Sequence, residues 1–256
     1  MRNIKLILAY DGADFEGWQR QLSGRTVQGV LEDAIQALTG AHSDAHSAGR
    51  TDAGVHALGQ VAAFQTASLL PAGTIMRALN ATLPHDVRVI EAEDAPEEFH
   101  PRYAARAKRY RYLIQVSLCA SPFTGRFVWW LPQALDIGAM REAAAALVGR
   151  HDFSAFMASG SSVKTTVRTL TGLAVEESSG VRFLGMALDG GLISVTAEAD
   201  GFLRHMVRNI AGTLVEAGLG KMSTLDMARI LESRDRGLAG PTAPARGLFL
   251  EQVYYK

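Results

Sequence analysis

Gly49-Arg50-Thr51-Asp52-Ala53-Gly54-Val55-His56-Ala57, with Gly59-Gln60-Val61 close behind, sets one aspartate between an arginine and two glycines just ahead of an apolar run. Glycine lets backbone approach a ligand closely. A short acid held there reaches a substrate without a long, floppy side chain. The competing reading is a plain turn, because Asp and Gly are common turn residues. For an isolated Asp-x-Gly that reading would win. The longer string, which takes in Arg50, His56, Gln60 and Phe64, favours a functional Asp52.

Outward from this stretch, the pattern alternates between strands and helices. Asn3 to Tyr10 reads as a strand, with Ile4, Leu6 and Leu8 alternating against Lys5 and Ile7. Thr26 is an N-cap for a helix to Leu38, stopped by Gly40, with Val27, Val30, Leu31, Ala34, Ile35 and Leu38 as its apolar face. The Asp52 motif leads into a strand near Gln60 to Gln65. A helix follows from about Thr74 to Leu83, and a strand from Val87 to Ala92. Arg106 to Val116 reads as a long strand opening a second half, and Asp136 to Val148 as a helix. Leu170 to Glu177, Arg182 to Leu188 and Leu192 to Ala199 read as strands, separated by turns at Ser179-Gly180 and Gly190-Gly191. Phe202 to Ala217 reads as a central helix, Ser223-Thr224-Leu225-Asp226 as a capping box, Gly237 to Gly247 as a loop, and Leu248 to Tyr254 as the last strand. Strands and helices mix without strict alternation, which predicts an α+β sheet protein rather than a doubly wound one. The expected division is 1–104, carrying the Asp52 loop, and 105–256, carrying a tyrosine strand and an arginine helix.

The 256 residues are 48% hydrophobic, enough for a proper core. Cys119 is the one cysteine, so an internal disulfide and a cysteine metal cluster are excluded and a reducing compartment is expected. The first residues lack the apolar h-region of a signal peptide, and no stretch is long enough to span a membrane, so a soluble cytoplasmic protein is expected. Net charge is zero, which taken alone argues against a nucleic-acid partner. The distribution says otherwise. Phe99 to Ala134 holds no acid but contains Arg102, Arg106, Lys108, Arg109, Arg111 and Arg126; Gly201 to Val215 holds none and contains Arg204, His205 and Arg208. Of 26 cationic side chains 21 are arginine, whose planar fork suits phosphate and base stacking. Basic segments in a neutral chain predict a positive cleft.

In Lys108-Arg109-Tyr110-Arg111-Tyr112, strand alternation puts the two tyrosines on one face and the two arginines on the other. A charged face over an aromatic core is the stronger reading of that pattern alone; the functional one is a ring stacked on a base beside cations that hold phosphate. In Gly201-Phe202-Leu203-Arg204-His205-Met206-Val207-Arg208-Asn209, an arginine on an apolar helix is costly unless paired, so Arg208 needs an anionic partner or a route to the surface. Other signals fail. His42 and His46 lack a helical apolar face and a following Glu, Gly220-Lys221 lacks phosphate-loop spacing, and no Gly-x-Gly-x-x-Gly follows a strand. No metal and no dinucleotide cofactor is expected.

The Asp52 string resembles the catalytic-aspartate motif of pseudouridine synthases, in particular the tRNA pseudouridine synthase A family. The resemblance extends in order along nearly the whole chain. It takes in Tyr10-Asp11-Gly12, Phe15, Gly17-Trp18-Gln19-Arg20-Gln21, Thr26-Val27-Gln28, Leu31-Glu32, Phe99-His100-Pro101-Arg102, His151-Asp152-Phe153, the Arg208 helix and Gly247-Leu248-Phe249-Leu250. It implies two α+β halves sharing a central antiparallel sheet, with an active-site cleft between them, in a homodimer that acts on tRNA. It implies isomerisation of uridine to pseudouridine at positions 38, 39 and 40 of the anticodon arm, without a cofactor. Asp52 would be the essential carboxylate, acting on the sugar carbon, on the base or on a sugar proton. Tyr110 would lie against the target base, and Arg208 would pair with Asp52. Arg50 would brace the gap left by the flipped nucleotide, Arg102 and Arg109 would hold RNA, and Leu248 would help close the uracil pocket. A non-catalytic RNA-binding protein would keep Arg102, Arg109 and Tyr110 and have no need of Asp52. An aspartate-nucleophile hydrolase would need companion acids that are missing.

Overall fold

The computed structural model describes residues 1–158, 160, 163–178, 180–183 and 186–255. It is a mixed α and β fold whose strand ladders are mostly antiparallel, organised as two compact units, Met1–Arg106 with Phe249–Lys256, and Ala107–Leu248.

In the first unit, β1 (Arg2–Tyr10) pairs antiparallel with β3 (His56–Thr66) on one side and β4 (Val87–Ala95) on the other. The short β2 (His46–Ser47) adds antiparallel to β3. Alternation along β1 buries Ile4, Leu6, Leu8 and Tyr10 on one face, as its sequence period requires. Two helices supply the rest of that core. Leu31 and Ile35 come from α1 (Val27–Thr39), and Ile75 and Leu79 from α2 (Ala72–Thr82). Thr26 does cap α1, its side chain accepting from the Gly29 amide. Glu32 joins the buried face of α1 at 2% exposure because its carboxylate is satisfied by Gln28 Nε2, the Ala45 amide and Arg20. The C-terminal strand β12 (Leu248–Tyr254) lies parallel to β3, with Phe249 opposite His56 and Leu250 opposite Ala57.

In the second unit, β11 (Gly191–Ala199) sits between β5 (Ala107–Val116) and β8 (Val167–Ser178), antiparallel to both. The short β6 (Trp129–Leu131) runs parallel to β5, and β7 (Gly149–Asp152) pairs with β8. Helices α3 (Ile137–Ala145) and α4 (Met206–Gly218) pack together, and α5 (Thr224–Ser233) opens on the Ser223/Asp226 capping box. The strand expected over Arg182–Leu188 is instead two short strands paired antiparallel, β9 (Val181–Phe183) and β10 (Met186–Leu188). Residues 184 and 185, and Ser179 of the turn before it, lie outside the described residues. The α4 helix starts four residues later than its apolar run, because His205 adopts a left-handed conformation with φ 62° and separates Phe202-Leu203 from the first turn. Among the described residues no helix is long and apolar enough to cross a membrane.

Candidate active site

Asp52 sits on the loop between β2 and β3, half-buried, next to the exposed Arg50. The loop is held from several directions. The Asp52 carbonyl accepts from the Val55 amide at 3.1 Å, which closes the turn. The Trp18 amide donates to the Thr51 carbonyl at 3.0 Å, and the Gly54 amide to the Phe15 carbonyl at 3.2 Å. Beneath, the Tyr10 hydroxyl and Thr51 Oγ1 share a 2.8 Å hydrogen bond, and Gln60 Nε2 donates to the Gly49 carbonyl at 2.7 Å. Gly17, at φ 96°, brings its chain so close that a Cβ there would stand 2.7 Å from the Thr51 carbonyl oxygen. The carboxylate therefore rides on backbone fixed by β1, β3 and the 11–21 segment, the precondition for holding a reacting group in register.

The 11–21 segment has its own anchors. Trp18 is 1% exposed and buried as the segment's apolar plug. The buried His56 accepts from the Gly12 amide at Nδ1, at 3.0 Å, and its ring stacks on Phe249 at 4.7 Å. Arg25 forks both oxygens of Asp86 at 2.7 and 2.8 Å and lies 4.0 Å over the Phe15 ring. Those hydrogen bonds hold the Asp86 carboxyl below its ordinary range. A carboxyl lowered in the folded state stabilises above its unfolded pKa and loses that contribution as pH falls through the folded value. Asp86→Asn is therefore expected to lower the unfolding midpoint near neutrality, with the gap from wild type closing as the pH is taken into the acid range.

Burial pushes the Tyr10 phenol up to about 12, so it stays neutral and works purely through its hydrogen bonds. Tyr10→Phe is expected to cost about 1–2 kcal/mol in urea unfolding, because it strands the hydroxyl of Thr51, which is only 6% exposed.

In the second unit, β5 alternates as its sequence does. Tyr110 and Tyr112 are buried, and Arg109 and Arg111 on the opposite face are half-exposed. The Tyr110 ring packs edge-to-face on Phe202 with centroids 5.0 Å apart. Tyr112, fully buried, donates its hydroxyl to the Pro244 carbonyl at 2.8 Å, and burial raises its pKa. It is a core residue, as expected. Arg109 stands opposite Glu198 of β11 and holds its carboxylate at 2.8 and 3.0 Å. Arg208, in the first turn of α4, is half-buried; its Nε donates to the Ala243 carbonyl at 2.7 Å. Leu248 is buried at the start of β12, one residue after Gly247, which packs against the Tyr112 ring.

Asp52, Arg50 and Arg102 thus belong to the first unit, and Tyr110, Arg109, Arg208 and Leu248 to the second. Arg102 is exposed, its guanidinium 6.0 Å from the Tyr103 ring. Among the described residues no group of three or more His, Cys, Asp or Glu side chains could hold a metal ion. Sequence reasoning passed over Tyr10, Thr51 and Gln60 as supports of the Asp52 loop, and Asn209, Thr242 and Arg236 around Arg208. Strand alternation continued from Ile4, Leu6 and Leu8 reaches Tyr10, but nothing local marked Arg236.

The family model for "tRNA pseudouridine synthase" matches residues 6–104 and 143–256. The chain is 48% identical to the tRNA pseudouridine synthase A of Citrifermentans bemidjiense, covering 100% of this chain and 98% of that one. It is 46% identical to that of Acetivibrio thermocellus, covering 100% of both, and 46% identical to that of Myxococcus xanthus, covering 100% and 93%.

Proposed function

The chain belongs to the tRNA pseudouridine synthase family, and from that premise we propose that it converts uridines 38, 39 and 40 in the anticodon arm of tRNA to pseudouridine, with Asp52 as its essential carboxylate. The reaction breaks the N1–C1′ bond and forms C5–C1′. N1 gains a proton and C5 loses one, so the step is an isomerisation with no net oxidation, reduction or hydrolysis. Such chemistry proceeds on side chains alone, and we assign no cofactor.

The observation that carries this reading is the Asp52 loop. Hydrogen bonds from Trp18, Gln60 and Val55 to backbone carbonyls, and one between Tyr10 and Thr51 Oγ1, hold the chain on either side of the carboxylate. A target inside a stem must first leave its stack, and Arg50, exposed and two residues from Asp52, braces the gap it leaves. Tyr110, its ring set by Phe202, stacks on the uracil, and Leu248 closes on it. Arg208 keeps Asp52 ionised, a role that rests on the family resemblance. Arg102 and Arg109 contact phosphate, Arg109 by exchanging Glu198 for RNA. The enzyme works in the cytoplasm as a homodimer, again as the resemblance implies. Affinity for tRNA is expected to fall with salt as counterions are released.

The test is pseudouridine mapping in a full set of unmodified tRNAs after treatment with the enzyme. New pseudouridine at 38, 39 and 40 is the expected pattern. Modification confined to another arm would overturn the assignment of site, and tRNA bound without modification would leave an RNA-binding protein.

A further inference from the structure

Arg236 opens a short 3-10 turn after α5, one residue ahead of the stretch Gly237 to Gly247 that the sequence marks as a loop. Its guanidinium is half-buried and, among the described residues, makes four hydrogen bonds, all to neutral oxygens. Nη1 donates to the Ala239 carbonyl at 3.3 Å and the Gly240 carbonyl at 2.9 Å; Nη2 donates to Asn209 Oδ1 and Thr242 Oγ1, each at 3.0 Å. Burial lowers its pKa from the ordinary arginine value, and among the described residues no acid offsets the cost. A surface cation needs no such arrangement, whereas a rigid fork of donors suits a hub that must hold several acceptors at fixed angles.

The hub closes on Arg208. Asn209, its chain neighbour, is fully buried and satisfied on both sides. Its Nδ2 donates to the Phe156 carbonyl at 2.7 Å, and its Oδ1 accepts from Thr242 Oγ1 at 2.7 Å as well as from Arg236. Thr242 is followed by Ala243, whose carbonyl takes Arg208 Nε at 2.7 Å and whose amide donates to the Arg208 carbonyl at 3.1 Å. The ring Arg208–Asn209–Arg236–Thr242–Ala243 is therefore unbroken, and moving Thr242 moves the acceptor that aims the Arg208 side chain. One turn on, the Gly240 amide donates to Thr213 Oγ1 at 2.9 Å, which pins the same loop to the same helix.

We propose that Arg236, through Asn209 and Thr242, is the positioning residue that sets the Arg208 guanidinium for isomerisation. The proposal rests on the reading of Arg208 given above. A mere loop staple would have the same bonds, so the test must separate the two. Release of tritium from tRNA labelled at uracil C5 is measured for Arg236→Lys and Thr242→Val, each in the wild-type and in the Arg208→Lys background.

Arg236→Lys keeps the charge and loses the fork. It is expected to lower kcat about 10-fold, with KM for tRNA within about twofold, and to cost less than about twofold once Arg208 is already lysine. Thr242→Val should show the same split on a smaller scale and carries the cycle if Arg236→Lys fails to fold. Losses that multiply in full in the Arg208→Lys background, or a rise in KM at unchanged kcat, would make Arg236 a staple only. Wild-type turnover in Arg208→Lys itself would remove the role of Arg208 and the proposal with it. An impaired Arg208→Lys with multiplying losses would remove the proposal alone.

Discussion

Asp52→Asn is expected to lower turnover at least about 10⁴-fold, the scale on which single essential groups act in enzymes that use them as nucleophile or base, while leaving tRNA affinity and fold unchanged. The substitution keeps the size and shape of the side chain and removes its charge and basicity. The loop is held by bonds from Trp18, Gln60 and Val55 to backbone carbonyls and by one between Tyr10 and Thr51 Oγ1. Asp52 is also only half-buried, so the swap creates no cavity in the core. A loss of activity accompanied by a lowered unfolding midpoint would point instead to a structural aspartate. Single-turnover formation of pseudouridine, measured beside tRNA binding and urea unfolding, separates the two.

Gly212→Ala is expected to destabilise the protein by about 3 kcal/mol, toward the upper end of what overpacking a core costs. On an ordinary helix the change would be favourable by about 1 kcal/mol, since alanine is the better helix former. Here a Cβ on Gly212 would run into the Pro241 carbonyl and approach the Ala243 amide, both backbone, so neither can swing aside as a side chain would. The helix or the loop has to move. An unfolding midpoint lowered by about 10 °C is the expected readout, and a stabilised or unchanged midpoint would refute the close packing. Because the displaced loop carries Ala243, the acceptor of Arg208 Nε, the folded fraction should also turn over more slowly than wild type.

The two effects mark where the sequence was readable. Alternation along Asn3–Tyr10 and Arg106–Val116 was enough to place β1 and β5 and to say which tyrosines face inward. The Asp52 loop was legible because its residue types follow each other within a dozen positions. The start of α4 was not, since Phe202 and Leu203 continue the apolar period and only the left-handed His205 interrupts it. The parallel return of β12 beside β3 pairs residues 56 and 249, a separation over which no local pattern speaks. Trp129–Leu131 and Gly149–Asp152 are too short to show a period. Arg236 was invisible for a related reason. It stands at the edge of a stretch rich in Gly, Pro and Ala, and its meaning lies in Asn209, 27 residues earlier. The gap between Gly212 and Pro241 is likewise a property of two backbones brought together by tertiary packing, which composition does not encode.

The most direct test of the chemistry is to count tritium released from C5 of labelled tRNA uridines against pseudouridine formed, for wild type and Asp52→Asn side by side. One tritium per pseudouridine at positions 38–40 with the wild-type protein, and none with Asp52→Asn at equal tRNA occupancy, is the predicted result. Release by Asp52→Asn at the wild-type rate, or binding without release by both proteins, would contradict it.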